Sequence, residues 1–522
     1  MKLLDSARAR HNGTALLLTA ALFLAAGSGQ VFGALRMPAV ISDHAVLRAS
    51  KPVAIWGWAN PGEAIHGTFL ANSGATTEFD AKAGSDGRWS GQLPALPSGA
   101  AGRMEVKTDR GEVLRIEDLL VGEVWLCSGQ SNMSYILNTT TRGRLEDTPP
   151  EMLAEATRKA SEAAGAIRYF SVREARADMP LDDVQGSWIV ATPEAVSSNY
   201  SAGDAQKNGY HAAPAGMVDA CFSLSWNFAV ALRDKLHCPV GVINSAVGGT
   251  SIELWSPRPE FVAAMGKEVE KQWSPGAPNQ IGCLYNAMIH GLEPYTLSGV
   301  LWFQGDANLG NWQQYGILVK SLVTTWRTHW RDDMMAFYYV EMQNYGIPQK
   351  EPVEHHNLCL IRERQQAALE LPGTGVATAV DLGIKTPEGV VAPPHFPDKA
   401  PLGRRLAGLA LNDLYGQPGL VHSPQLKSFQ IEGGMIRLKF DFADGLRVRG
   451  AGGLKGFAIR SADGPWTWAE GRIEGETILL WNEQVAAPAE VRYGWAQNPI
   501  LSVENIAGLP LRPFRTDLNS QE

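Results

Sequence analysis

Cysteine is scarce in this chain of 522 residues, with five in all, at positions 127, 221, 238, 283 and 359. No two of them form a C-x-x-C pair, which argues against a structural zinc site. The odd number leaves at least one thiol outside any intrachain disulfide, although export would permit such bonds. Cys127 sits in an apolar run and reads as a buried core thiol. Charge is sparse as well, at 19% Asp, Glu, Lys and Arg with a net −8. No basic stripe appears, so nucleic acid is not an expected partner. Beyond the N-terminus no apolar run is long enough to cross a bilayer. Internal repeats and low-complexity tracts are missing too. The 45% apolar content therefore belongs to folded globular units and not to disordered or fibrous ones.

The N-terminus is the exception. Lys2, Arg8 and Arg10 precede TALLLTAALFLAA (Thr14–Ala26), and the small residues Gly33 and Ala34 follow. Residues 1–34 are expected to be a cleaved export signal, with an uncleaved anchor as the alternative. The expected location is secreted or periplasmic, with no stable membrane span after cleavage.

The remaining length exceeds what one hydrophobic core supports, so several domains are expected. The 54 glycines and 31 prolines suit a turn-rich, β-rich chain. In 35–118, KPVAIWGWANPGEAI alternates before the turn at Asn60-Pro61-Gly62, and a second turn falls at Asp86-Gly87. That pattern predicts an N-terminal antiparallel β domain. From 119 to 418 the character changes. VGEVWLCS, CPVGVINS, SGVLWFQG, MMAFYYVEM and TGVATAVDLG are apolar throughout, and helical stretches such as FSLSWNFAVALRDKL lie between them. Such runs predict a parallel sheet covered on both faces, with an active site outside the strands' carboxyl ends. In 419–522, SFQIEGGMIRLKFDF, GLKGFAIRS and ETILLWN predict a C-terminal β domain. The 16 tryptophans read mainly as core residues, and some can stack on sugar rings.

Three polar strand ends carry the candidate chemistry. VGEVWLCSGQSNM places Ser131 just past the first parallel run, flanked by Gln130 and Asn132. The serine either caps a following helix or attacks an acyl carbon once a base takes its proton. It is not the G-x-S-x-G elbow, because Met133 stands where that motif has glycine. NSAVGGTSIELW sets Gly248 and Gly249 past the second run, where backbone N–H groups can approach a developing oxyanion. LWFQGDAN sets Gln304, Gly305, Asp306 and Asn308 past the third, where a side-chain amide can donate to the same oxyanion. His395, in APPHFPDKAPLGRRLAGLAL, is the candidate base. His290, His355 and His356 are its rivals. The adjacent pair His355-His356 points apart and lacks supporting carboxylate spacing, so no metal is expected.

With these residues in place, the chain resembles the sialate O-acetylesterases, the sialic acid-specific acetylesterase group of the SGNH (GDSL-like) hydrolases. The resemblance runs from about Met37 to Asp517. It rests on SDHAVLRASKPVAIWGWANPGE, VGEVWLCSGQSNM, PVGVINSAVGGTSIELW, GVLWFQGDAN, HFPDK, VRYGWAQNP and GLPLRPFRTD. It implies an α/β fold with an SGNH-type, flavodoxin-like parallel sheet and flanking antiparallel β domains. It implies Ser131 as nucleophile and His395 as general base. The oxyanion hole would comprise the N–H groups of Ser131 and Gly249, or Gly248, with Gln304 or Asn308 as a third donor. No metal and no cofactor are implied, and the substrate would be an acetylated carbohydrate.

Two departures stand out. The family often has Q-G-E where this chain has Gln304-Gly305-Asp306. Where SGNH enzymes place aspartate three residues before the histidine, this chain has Ala392, followed by Pro393 and Pro394. Asp381 is then the candidate acid and Asp398 the next, unless a backbone carbonyl orients the histidine. Loss of a triad acid costs roughly 10⁴-fold. A sialate pocket should also offer an arginine to the sugar carboxylate, for which Arg362 and Arg142 are the candidates. The readings in order are a sialate O-acetylesterase, an acetylesterase on xylan or xyloglucan, and a non-catalytic glycan-binding protein.

Overall fold

The computed structural model describes residues 34–140, 147–198, 200–201, 221–272, 279–391 and 394–517. The expected export signal up to residue 33, Arg142, Ala392 and Pro393 lie outside the described residues. Each of the five apolar runs forms a strand. These are β1 (Val113–Gly129), β2 (Val240–Ala246), β3 (Gly299–Phe303), β4 (Ala336–Glu341) and β5 (Thr374–Thr378). They pair in parallel in the order β2-β1-β3-β4-β5. That is the flavodoxin-like arrangement, whose direction of winding reverses between the first and third strands.

The side chains show why these runs lie in the middle of the molecule. Successive residues of a strand point to opposite faces, and both faces are covered. Trp125 of β1 and Tyr338 of β4 stack together, and Trp125 meets Phe228 of α1 (Ser223–Leu236) edge-on. Phe337, next to Tyr338, instead meets Trp326 of α2 (Trp312–Trp330), which also packs on Trp302 of β3. Helices α1 and α2 therefore lie on opposite faces. A further helix, α3 (Asn357–Gln365), follows β4, and α4 (Ala400–Asp413) follows β5. Helix α4 lies tightly on α1 through Gly403, where an added Cβ would come within 2.7 Å of Asn227 Cβ and 2.8 Å of Phe228 N.

The sheet continues past β2. Ile167–Val172 pairs with β2 in parallel, and Gly186–Val190 closes that edge antiparallel. The run IRYFSV is wholly buried but is only six residues long, and such a length does not distinguish strand from helix by pattern. At the other end, β1 is one strand of 17 residues that passes through residue 118 without a break. Its first half pairs antiparallel with Ala101–Thr108, which leads on to Ala64–Ala71 and Thr76–Lys82. A bulge within this antiparallel pairing falls at Asp118, at φ 53°. One apolar cluster accordingly runs from Leu35 to Ala410 and takes in Trp495. A second cluster, from Ile436 to Phe514, lies among two separate four-stranded antiparallel sheets formed from residues 425–515.

All five cysteines are buried. Burial pushes the Cys221 thiol up to about 12 and raises Cys127 as well, as expected for inert core thiols.

His329, near the end of α2, lies 3.2 Å from Glu293, 3.3 Å from Glu260 and 2.8 Å from the Tyr285 hydroxyl. The bond to Glu293 is the main cause that raises its pKa to about 9. A raised histidine stabilises the fold fully below its unfolded value of about 6.5, and that contribution is lost as pH rises through about 9. His329→Gln is expected to cost about 1–2 kcal/mol at pH 6, after allowance for solvent screening, and nothing comparable at pH 9.5. Melting curves of both proteins across that range check this, and parallel curves at all pH values would refute it.

Candidate active site

The register of β1, β2 and β3 brings their carboxyl ends level, because Gly129 pairs with both Ala246 and Phe303. The loops that follow carry the three polar motifs. At the end of β1, Gly129 has φ 134°, and a Cβ there would stand 2.2 Å from the Phe303 carbonyl oxygen. Only glycine admits so close a crossing. Residues 130–134 then form a turn in which Met133 and Ser134 N–H groups donate to the Gln130 carbonyl. No helix starts at this turn, so Ser131 is not an N-cap. It is 5% exposed.

Ser131 Oγ lies 2.9 Å from His395 Nε2, so the structure brings together the two residues expected to act as a pair. The preceding carbonyl, that of Pro394, is held by Asn132 Nδ2 at 3.1 Å and by Gln343 Nε2 at 3.2 Å. Asn132 belongs to the nucleophile turn and Gln343 follows β4, so the histidine loop is fastened to two strand ends. The Ser131 and Gly249 N–H groups donate no hydrogen bond within the described residues. Gly249 is exposed at φ 71°, with open space where a Cβ would stand. The Val247 N–H donates to the Gly129 carbonyl at 3.1 Å and anchors the Gly248-Gly249 loop beside the nucleophile.

Several expected roles are corrected. Gln304 is fully buried, and its two amide hydrogens go to the Thr250 carbonyl at 3.1 Å and to Asn308 Oδ1 at 2.7 Å. The Asn308 amide donates to both Glu253 oxygens, at 3.0 and 2.9 Å, and to Asn311 Oδ1 at 3.1 Å. Neither has a hydrogen left for an oxyanion. With Glu253 and Tyr315 they form instead a buried network that supports the loop carrying Gly249. Glu253 was present in SIELW, but its residue type alone gave no sign of this duty.

Asp381 is not paired with His395. Arg405 binds both its oxygens, at 2.7 and 2.9 Å, and Arg449 adds a contact at 2.9 Å. Although burial acts the other way, these arginines hold its carboxyl below the usual range. Asp398 accepts from the Ala400 N–H at the start of α4. Asp306 is the carboxylate that faces the site. It accepts from Gln130 Nε2 at 3.2 Å and Gln343 Nε2 at 3.3 Å. Desolvation raises its pKa, against the Gln343 bond and the charges of His395, Arg362 and Lys399.

Arg362 is likewise closed to substrate. It is 1% exposed and donates to the carbonyls of Met342, Gln343, Ala496 and Gln497. It ties the loop after β4 to the C-terminal sheets. His356 caps α3 by accepting from the Leu358 N–H at 3.1 Å, and His290 contacts the Leu181 carbonyl. No cluster of His, Cys, Asp and Glu among the described residues is arranged to hold a metal.

A buried serine against a histidine, with open backbone donors at the switch point of a doubly wound sheet, is the equipment of a carboxylic-ester hydrolase. Residues 204–412 match the family described as carbohydrate esterase, sialic acid-specific acetylesterase. A crystal structure of a carbohydrate acetylesterase from Xanthomonas citri superposes with TM-score 0.76 and 30% identity, over 93% of this chain and 100% of that one. The sialate O-acetylesterase of Mus musculus is 26% identical over 483 residues, 82% of each chain. That of Homo sapiens is 32% identical over 308 residues, 56% of this chain and 53% of that protein. The chain belongs to the carbohydrate acetylesterases, and its fold is of SGNH type.

Asp381→Asn tests the correction. Loss of a triad acid would lower kcat roughly 10⁴-fold. The expected outcome is kcat on a simple acetyl ester within about threefold of wild type, with a lower melting temperature because Arg405 and Arg449 lose their buried counter-charge. A kcat loss of the triad size in a folded protein would restore Asp381 to the site.

Proposed function

We propose that this chain is an exported O-acetylesterase that removes acetyl groups from sialic acids through an acyl-enzyme on Ser131. The observation that carries this is the 2.9 Å contact between Ser131 Oγ and His395 Nε2, beside backbone donors with no acceptor among the described residues. In the proposed cycle the Oγ attacks the acetyl carbon while His395 Nε2 takes its proton. The N–H groups of Ser131 and Gly249 receive the developing oxyanion. The sugar oxygen leaves with the proton from His395, and Ser131 carries the acetyl group. Water, deprotonated by His395, then releases acetate and restores the serine. The imidazolium formed in each half is balanced through space by Asp306, in the place that Asp381 had been expected to fill. The export reading rests on residues 1–34 and places the enzyme in the periplasm or outside the cell.

A second substrate reading, acetylated xylan or xyloglucan, is favoured by one observation. Arg362, the arginine expected to bind a sialic acid carboxylate, is buried and committed to four backbone carbonyls. A neutral polysaccharide needs no such arginine.

Acetate release from O-acetylated sialic acids and acetylated xylan, measured side by side, tests both readings. The expected result is release from sialic acids that falls at least roughly 10³-fold in Ser131→Ala and in His395→Ala. Release from xylan alone would select the polysaccharide reading. Release that survives Ser131→Ala would remove the serine from the mechanism.

A further inference from the structure

A lysine at the start of α4 has no part in the chemistry above. Lys399 is 0% exposed. Its ammonium sits 3.3 Å from the centre of the Phe396 ring, with the rings of Tyr135 and Phe303 at 5.3 and 5.7 Å. It immediately precedes the first residue of a helix, where the macrodipole disfavours a cation. Burial pushes its pKa well below the usual lysine range, against the charges of Asp398 and Asp306. A lysine placed at such cost needs a compensating contact, and it has one. Its Nζ donates to Asn132 Oδ1.

The two ends of an asparagine amide are nearly the same shape but opposite in hydrogen bonding, so its orientation is set by its partners. The lysine amine can donate in either protonation state, and here it donates to Oδ1. That leaves Asn132 Nδ2 facing the Pro394 carbonyl at 3.1 Å, one residue before His395. We infer that Lys399 is a positioning residue for the Ser131–His395 pair, holding the Asn132 amide in the one orientation that fastens the histidine loop to the nucleophile turn. The inference rests on the serine-esterase reading.

The test uses hydrolysis of p-nitrophenyl acetate, which reports on Ser131 whatever the natural glycan. Lys399→Met keeps the length and apolar stem and removes the donor. It is expected to lower kcat by about 10–100-fold, the scale of a misplacement near 1 Å, with KM within about threefold. Asn132→Ala is expected to do the same, and the double variant to be no worse than the more damaging single one, because both break one chain of contacts. Lys399→Gln, which keeps a shorter donor, is expected to recover part of kcat and carries the comparison if Lys399→Met does not fold. Unchanged kcat in folded Lys399→Met, or losses that multiply in the double variant, would overturn the proposal. So would failure of both lysine variants to fold, which would assign Lys399 to stability alone. A wild type inert toward this ester overturns the Ser131 reading and this one together, whereas an active wild type with an unaffected Lys399→Met overturns this one alone.

Discussion

The arrangement depends on the level at which three parallel strands stop. Gly129 stands opposite Ala246 on one side and Phe303 on the other, so three loops emerge at one height. A slip of one residue would turn every side chain of a strand to the other face. It would also lift one loop out of reach of the other two. The aromatic packing of Trp125 against Phe228 and of Trp302 against Trp326 makes such a slip costly. The site is thus held by core packing well below it, and the loops need only short hydrogen bonds to complete it.

The second constraint is how His395 reaches the serine. It lies 264 positions away in the chain, on a loop between β5 and α4. Two of the first three strand ends, and the segment after β4, converge on it. Asn132 and Gln343 share the Pro394 carbonyl, while Gln130 and Gln343 share Asp306. Asn132 and Gln130 each use both donor and acceptor character, which gives the network a direction, whereas Gln343 donates to both acceptors and its Oε1 has no partner among the described residues. Hydrogen bonds in a buried network of this kind reinforce one another. The price is that removing one member leaves others unpaired.

Much of this was legible in the sequence, and what was not follows a physical pattern. The five strands announced themselves as unbroken apolar runs, Ser131 and Gly249 stood just past two of them, and His395 lay in the loop before a helical run. Those properties are local. The misread residues failed on partners that are remote. Gln304 and Asn308 have the right amides, but Thr250, Glu253 and Tyr315 had already engaged them. Asp381 has the right charge, but Arg405 and Arg449 hold it 24 and 68 positions away in the chain. Residue type states what a group can donate or accept, and only the fold states what remains unused. Lys399 is the reverse case. A lone lysine reads as a surface residue, and nothing in HFPDK reveals an aromatic cage assembled from three separate segments.

The C-terminal sheets enter the same logic. They have their own apolar cluster, yet their arginines point into the catalytic unit. Arg512 meets Glu341, the last residue of β4, at 3.1 and 3.0 Å, and Arg515 meets Glu363 of α3 at 2.8 and 3.0 Å. From the catalytic side, Arg362 reaches the carbonyls of Ala496 and Gln497, and Asn344 reaches Asn498. All these contacts surround the segment 341–344, and Gln343 is the member of that segment that holds Pro394. Ion pairs buried this deeply add little net stability over apolar packing, but breaking one partner is costly. Their effect is to fix the segment's path. The C-terminal sheets therefore act on the histidine through Gln343, from a unit that contributes no side chain to the Ser131–His395 pair.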